Sequence, residues 1–212
     1  MTPFRNRADA GRELAALLAD DARNHDAIVL ALPRGGVPVG YEIARELQVP
    51  MDVVLVRKLG VPGREELAMG AVATSGVYFL DQWMVERLSI TREQIDAVIE
   101  RERNELSRRE REYRGNRPPP DVGGMTVICV DDGLATGASM RAAVAAIREG
   151  RPARIIVAVP VAAPAIAEAM RNVSDGIVVA RLPEHMRAVS SWYLDFSQTT
   201  DEEVRDLLAR AR

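Results

Sequence analysis

The chain has 212 residues, 47% of them hydrophobic and 28% charged, with 15 Gly and 12 Pro. That profile fits one folded domain with at most a small appendage and excludes a disordered or fibrous chain. A formal charge of -3 and a pI near 5.6 argue against a nucleic-acid partner.

A chain of this length buries roughly 70% of the surface its unfolded form exposes, so its core needs neither disulfides nor a structural metal. Cys129 is the single cysteine and sits in an apolar run. It offers no disulfide and no thiolate metal site, and it suits a reducing, cytoplasmic setting. The opening segment MTPFRNRADAGRELAALLAD is charged where a signal peptide would be apolar. No apolar run approaches the roughly 18 residues of a membrane span, so no membrane partner is expected.

The first strand is predicted at AIVLAL (27–32). It leads into Pro33-Arg34-Gly35-Gly36 and a helical pattern over 37–47. Glycines at 35 and 36 allow the backbone to approach an anion closely, and Arg34 adds a fork of donors beside them. A second strand is predicted at DVVLV (52–56), followed by Arg57, Lys58 and a Gly/Pro-containing stretch over 60–66. From Thr91 to Pro120 the chain is dense in charge; Thr91 and Gln94 have the spacing of a capping box, and three prolines end the segment. A solvated helix laced with ion pairs explains it, although Ile95, Val98, Ile99 and Leu106 form a sparse stripe that must pack on its own sheet or on a second subunit.

TVICV (126–130) is the third strand and delivers Asp131 and Asp132 to its carboxyl end. A turn of small residues, Ala135, Thr136, Gly137, Ala138 and Ser139, then opens a helical pattern over 140–149. Such a turn cradles phosphate: its backbone N–H groups are unsatisfied, the helix dipole is positive there, and Thr136 and Ser139 carry hydroxyls. It lacks the Lys-Ser/Thr ending of a P-loop, and two carboxylates beside a monophosphate site suit the vicinal hydroxyls of a sugar phosphate. RIIVAVPV (154–161), a helical pattern over 163–171 and GIVVARL (176–182) complete the alternation. None of these apolar runs alternates with polar residues, as expected for strands covered on both faces. The expected fold is α/β, a doubly wound, mainly parallel sheet. His25 and His185 are isolated; His25 is expected at the surface.

VICVDDGLATGAS resembles the signature of the type I phosphoribosyltransferases. That resemblance implies that Asp131 and Asp132 bind the ribose hydroxyls of 5-phosphoribosyl-1-diphosphate (PRPP) and that Ala135 through Ser139 bind its 5-phosphate. It places Arg34, Gly35 and Gly36 on the pyrophosphate. VLVRKLGVPGREELAMG resembles the region of adenine- and orotate-type members where a strand ends in Arg-Lys and runs into a mobile lid, so Arg57 and Lys58 would reach the leaving group. LPEHMRAVSSWYLDF resembles a hood over the base, with Met186, Val189, Trp192 and Tyr193 as candidates for its pocket wall and Asp195 near a substrate-borne metal. The family further implies Mg²⁺ arriving with PRPP, a nucleobase-like acceptor, a place in nucleotide metabolism, and frequent homodimers, with the helix from Thr91 as a candidate contact. The whole chain, 1–212, then reads as one domain with a core over about 25–162, an inserted charged helix over about 91–115 and a hood over about 176–212.

Two positions depart from the oxopurine enzymes. Ala135 replaces an acid of the phosphate loop, and Val161-Ala162-Ala163 stands where a lysine would read the purine oxygen. The acceptor therefore stays open, as does a second class of function: a PRPP- or nucleotide-binding regulator that catalyses nothing.

Overall fold

The computed structural model describes residues 2–22, 26–115 and 117–211; His25 lies outside them. Five strands, β1 (Ala27–Ala31), β2 (Met51–Val53), β6 (Thr126–Val130), β7 (Arg154–Val161) and β8 (Gly176–Arg181), pair in parallel in the order β2-β1-β6-β7-β8. Every residue of β1 and β6 is buried. Val29, Ala31, Ile128 and Val130 face one apolar layer and Ile28, Leu30, Val127 and Cys129 the other, which is why no alternation is visible in these runs.

Helix α1 (Arg7–Ala22), absent from the sequence expectations, lies with α2 (Gly36–Leu47) on the first layer; α5 (Ala138–Glu149) and α6 (Pro164–Arg171) lie on the second. Helices leave β1 and β6 on opposite faces, so the carboxyl ends of these adjacent strands flank a topological switch point. In open α/β sheets that crevice is where ligands bind.

The run 52–56 is not one strand. The Val54 N–H still donates to the Ala31 carbonyl at 3.0 Å, whereas the Leu55 carbonyl accepts from the Thr74 N–H at 3.2 Å, so the run passes from one sheet to another. That second sheet is antiparallel: β3 (Val56–Val61), β4 (Arg64–Ala73) and β5 (Tyr78–Leu80), in the order β3-β4-β5. Arg57 and Lys58 therefore lie within β3 rather than at a strand end, and the stretch 60–66 is the hairpin tip, turning at Gly63 with φ +77°. Short helix α3 (Gln82–Arg87) follows.

Helix α4 (Arg92–Arg114) begins with the expected capping box: Thr91 accepts from the Gln94 N–H, and the Gln94 side chain accepts from the Thr91 N–H. Removing that cap in Thr91→Ala should cost about 1 kcal/mol and lower Tm by roughly 2–4 °C in a thermal melt. The apolar stripe of α4 joins the first core layer, so it is used within the chain. Its last turn is anchored by buried Arg114, which donates to Asp52 at 3.1 Å, to Glu110 at 2.7 Å and to the Val53 carbonyl.

Gly176–Arg181, expected from sequence both as a strand and as the start of the hood, is the edge strand of the main sheet. The covering segment comes after it. A 3-10 turn (Val189–Trp192) leads to Tyr193, which forms a parallel bridge with Phe4, and α7 (Asp201–Arg210) closes the chain. No helix among the described residues is long and apolar enough to cross a membrane.

Candidate functional site at the switch point

The turn after β1 and the acid pair after β6 meet. A Cβ placed on Gly35 would lie 2.0 Å from Asp132 Oδ2, and one on Gly36 would lie 2.7 Å from the Val130 carbonyl oxygen and 2.9 Å from Asp131 Cα. The glycines thus let the β1–α2 turn lie directly against the carboxylates. The Pro33–Arg34 peptide in this turn is cis. Arg34 leans toward α7, 3.6 Å from Asp201.

Asp131 Oδ1 accepts from the Asp132 N–H at 2.8 Å. Burial, and then the negative charge of Asp132, hold the Asp131 carboxyl well above the usual carboxylate range. Burial raises Asp132 too, opposed by a cation that sequence reasoning missed: Arg7, at the start of α1. Its Nε and Nη2 approach Asp132 Oδ2 at 2.9 and 2.8 Å. No local signal marks Arg7, because its partner is 125 residues away.

Among the described residues no acceptor pairs with the backbone N–H of Ala135, Thr136 or Gly137. Gly137 caps α5 at φ +75°, and Ala135 and Thr136 are exposed. The turn is therefore open, with its donors available to an anion. Ser139, in the first turn of α5, lines a cavity of about 570 Å³ together with Arg57, Lys58, Arg101, Glu102 and Arg109. This brings the turn and the β3 cations to one space.

The two β3 cations differ. Lys58 is exposed, and its charge draws the Asp131 carboxyl downward. Arg57 is held by buried Glu102 at 2.8 Å, and Glu102 in turn accepts from Arg101 at 3.1 Å. Glu102 continues the 95, 98, 99, 106 stripe of α4, so a charged residue at a core position was the available signal for it. Glu65, on the hairpin, lies 3.6 Å from Arg101.

The hood residues divide as well. Val189 reaches over Gly133, where its Cγ1 would be 2.6 Å from a Cβ, and so it stands above the turn that follows the acids. Tyr193, a candidate for the pocket wall, is instead buried in the hood. Its ring packs on Phe4 and Phe196 with centroids 5.6 and 5.0 Å away, and its hydroxyl donates to the Asp132 carbonyl at 2.6 Å. Trp192 is half-buried, and its carbonyl accepts from the Phe4 N–H at 2.9 Å. Met186 is half-buried and His185 exposed. Asp195 is exposed, and the Ser197 N–H at 2.9 Å holds its carboxyl below the usual range.

Comparison with known proteins identifies the family. The family model of the phosphoribosyl transferase domain matches residues 2–176. The chain is 40% identical over 211 residues to Rv0571c of Mycobacterium tuberculosis (strain ATCC 25618 / H37Rv), assigned by name to the phosphoribosyl transferases; the match covers 100% of this chain and 47% of that protein. The chain thus spans about half the length of that relative. It is 34% identical over 152 residues to the bifunctional protein PyrR of Chloroflexus aurantiacus, covering 70% of this chain and 72% of PyrR. The crystal structure of TT1426 from Thermus thermophilus superposes with a TM-score of 0.84 at 40% identity, over 99% of both chains. With its doubly wound sheet and its acid pair and small-residue turn at the switch point, the chain belongs to the phosphoribosyl transferase domain family.

Proposed function

We propose that the chain transfers the 5-phosphoribosyl group of PRPP to a nitrogen of a base-like acceptor and releases pyrophosphate. One observation carries this reading: the Gly35-Gly36 backbone lies directly against the paired acids, and the open turn of Ala135, Thr136, Gly137, Ala138 and Ser139 follows those acids at the same end of the sheet. That set matches the diol, the diphosphate and the 5-phosphate of a single substrate.

In the transfer the C1–O bond breaks and the electron pair leaves with pyrophosphate. The acceptor nitrogen forms the new bond to C1 and gives up its proton to solvent. Negative charge grows on the leaving oxygens and positive charge on the sugar, so the chain's contribution is electrostatic and positional. Asp131 and Asp132 hold the cationic ribose. The Gly35-Gly36 backbone, with Arg34 and Lys58, steadies the diphosphate; Arg57 joins them once it leaves Glu102. The β3–β4 hairpin tip is the element that would cover the site and keep out water, which would otherwise hydrolyse the activated sugar.

Among the described residues no three His, Cys, Asp or Glu side chains gather to hold a metal. The hard oxygen donors present fit a Mg²⁺ carried on the oxygens of PRPP and water, with Asp195 as the carboxylate that would meet it. When bound, the ion neutralises charge on the diphosphate.

A second reading, a PRPP- or nucleotide-binding regulator on the same fold, is favoured by the far wall of the crevice. Val161, which ends β7, and Ala162 after it are buried and apolar, and Ala162 bridges to Leu134, so these two residues offer no cation to read a purine oxygen. Incubation with PRPP, Mg²⁺ and a panel of nucleobases separates the two. Base-dependent pyrophosphate release is the expected result; PRPP binding without release supports the regulator, and no binding of PRPP defeats the transfer and leaves only a regulator that binds nucleotides.

A further inference from the structure

We propose that Arg7 is the positioning residue of the ribose grip, holding one oxygen of Asp132 so that the other, Oδ1, faces the substrate diol. This rests on the reading of the acid pair as ribose-binding.

The contact is one-sided. Both guanidinium nitrogens that reach Asp132 approach the same oxygen, Oδ2, at 2.9 and 2.8 Å, which leaves Oδ1 outside the Arg7 contact. The third arm, Nη1, donates to the Ser197 carbonyl at 2.7 Å, while the guanidinium carbon stands 3.9 Å from the centre of the Phe196 ring. Arg7 is thereby fixed between the hood and the acid pair, with its side chain only 11% exposed.

Local energetics do not explain an arginine here. Arg7 is the first residue of α1, where the helix dipole disfavours a cation. The long-range pair with Asp132 offsets that cost. Three directed bonds and a stacked face also require the planar fork of arginine; a lysine ammonium supplies the charge without the fork.

The segment preceding α1 is tied to the same unit. Leu194 and Asp195 donate their N–H groups to the carbonyls of Phe4 and Arg5 at 2.8 and 2.9 Å, and Phe4 packs on Tyr193. The segment before α1, the hood and the second acid are therefore joined, and Arg7 is the link between the hood and the acid.

The groups facing Asp132 are Arg7 from α1, Asp131 beside it, the Tyr193 hydroxyl from the hood and Gly35 from the β1–α2 turn; Lys58 acts on the neighbouring Asp131, and Arg7 acts also on Asp195. Arg7 is the cation that opposes the effect of burial on Asp132. Without it the carboxyl takes up a proton at higher pH, and the acid limb of ligand binding moves the same way.

The test compares wild type with Arg7→Ala and Arg7→Lys. Calorimetry with Mg²⁺-PRPP and with ribose 5-phosphate is run from acid to alkaline pH, and the Asp132 carboxyl is titrated by carbon NMR. Arg7→Ala should bind about tenfold or more weakly at neutral pH, a loss near 1.4 kcal/mol, recover partly at alkaline pH, and show Asp132 titrating higher. Arg7→Lys should restore most of the titration but only part of the affinity. Should Arg7→Ala fail to fold, Arg7→Lys carries the test through that split between charge and geometry. Asp132 titrating alike in all three proteins, or affinity that falls without changing its pH dependence, overturns the assignment of Arg7. Wild-type protein that binds neither ligand overturns the proposed function, and the diol with it, while the titration still reads whether Arg7 governs Asp132.

Discussion

Asp131→Asn should raise the melting temperature at neutral pH and, in the same protein, weaken PRPP binding. The carboxyl lies at the end of β6 under Gly36, and burial and then Asp132 push its proton affinity up, with the Asp132 N–H, Arg7 and Lys58 pulling the other way. A group held above its unfolded pKa, near 3.9 for Asp, binds its proton more tightly when folded. Its favourable contribution is complete below the unfolded value and is lost as pH rises through the folded one. At neutral pH the wild-type fold carries that loss, whereas Asn, which can keep the bond from the Asp132 N–H through its own Oδ1, does not. The gain should be about 2–4 °C, the shift that 1 kcal/mol produces at this chain length, and it should vanish in acid. Affinity should fall about 10- to 100-fold, since a hydrogen bond to a charged group contributes roughly 1.5–3 kcal/mol. Asp132→Asn is the companion variant, lowering turnover far more than stability. Thermal melts across pH, paired with calorimetry, read both effects. Equal melting temperatures at every pH would show that the acid is not held at a cost to the fold, and undiminished affinity would remove it from the diol.

The parts of the fold legible in the sequence are those whose signal is local. Runs such as 27–32 and 126–130 lack alternation because both their faces are buried, and the Thr91 capping box announces α4 four residues ahead of its first buried side chain, Ile95. Strand β4 defeats the same reasoning. Its first half, from Arg64, is exposed and its second half is buried, so neither alternation nor a continuous apolar run develops. The site shows the same division. The acids and the small-residue turn share one run, 131–139, and the glycines form another beside Arg34, so each is a local pattern. Arg7 reaches Asp132 only because the fold sets the start of α1 between the acid pair and the hood at Phe196 and Ser197, and Tyr193 is drawn into the hood's packing by the same tertiary contacts. Arg57 could be read as a cation near the site, but its partner Glu102 arrives from α4, 45 residues later.

Gly36→Ala sets helix propensity against packing, and packing should decide it. Gly36 is the first residue of α2, and alanine is favoured over glycine within a helix by roughly 1 kcal/mol, so local preference alone predicts a gain. The added methyl, however, would meet the Val130 carbonyl at 2.7 Å and Asp131 Cα at 2.9 Å. Both are backbone atoms of the central strand's end, and no rotamer moves them away. The strand and the β1–α2 turn must separate, at a cost of about 1–3 kcal/mol for overpacking, and the separation falls at the switch point where PRPP is expected to bind. Gly35→Ala is the informative contrast. Its methyl would lie 2.0 Å from Asp132 Oδ2, a side-chain atom that can rotate aside, but only by breaking its bonds to Arg7. Gly36→Ala should therefore lose both stability and affinity, and Gly35→Ala chiefly affinity. Should Gly36→Ala melt at or above wild type and still bind PRPP, the close approach of turn and strand would not be what shapes the crevice.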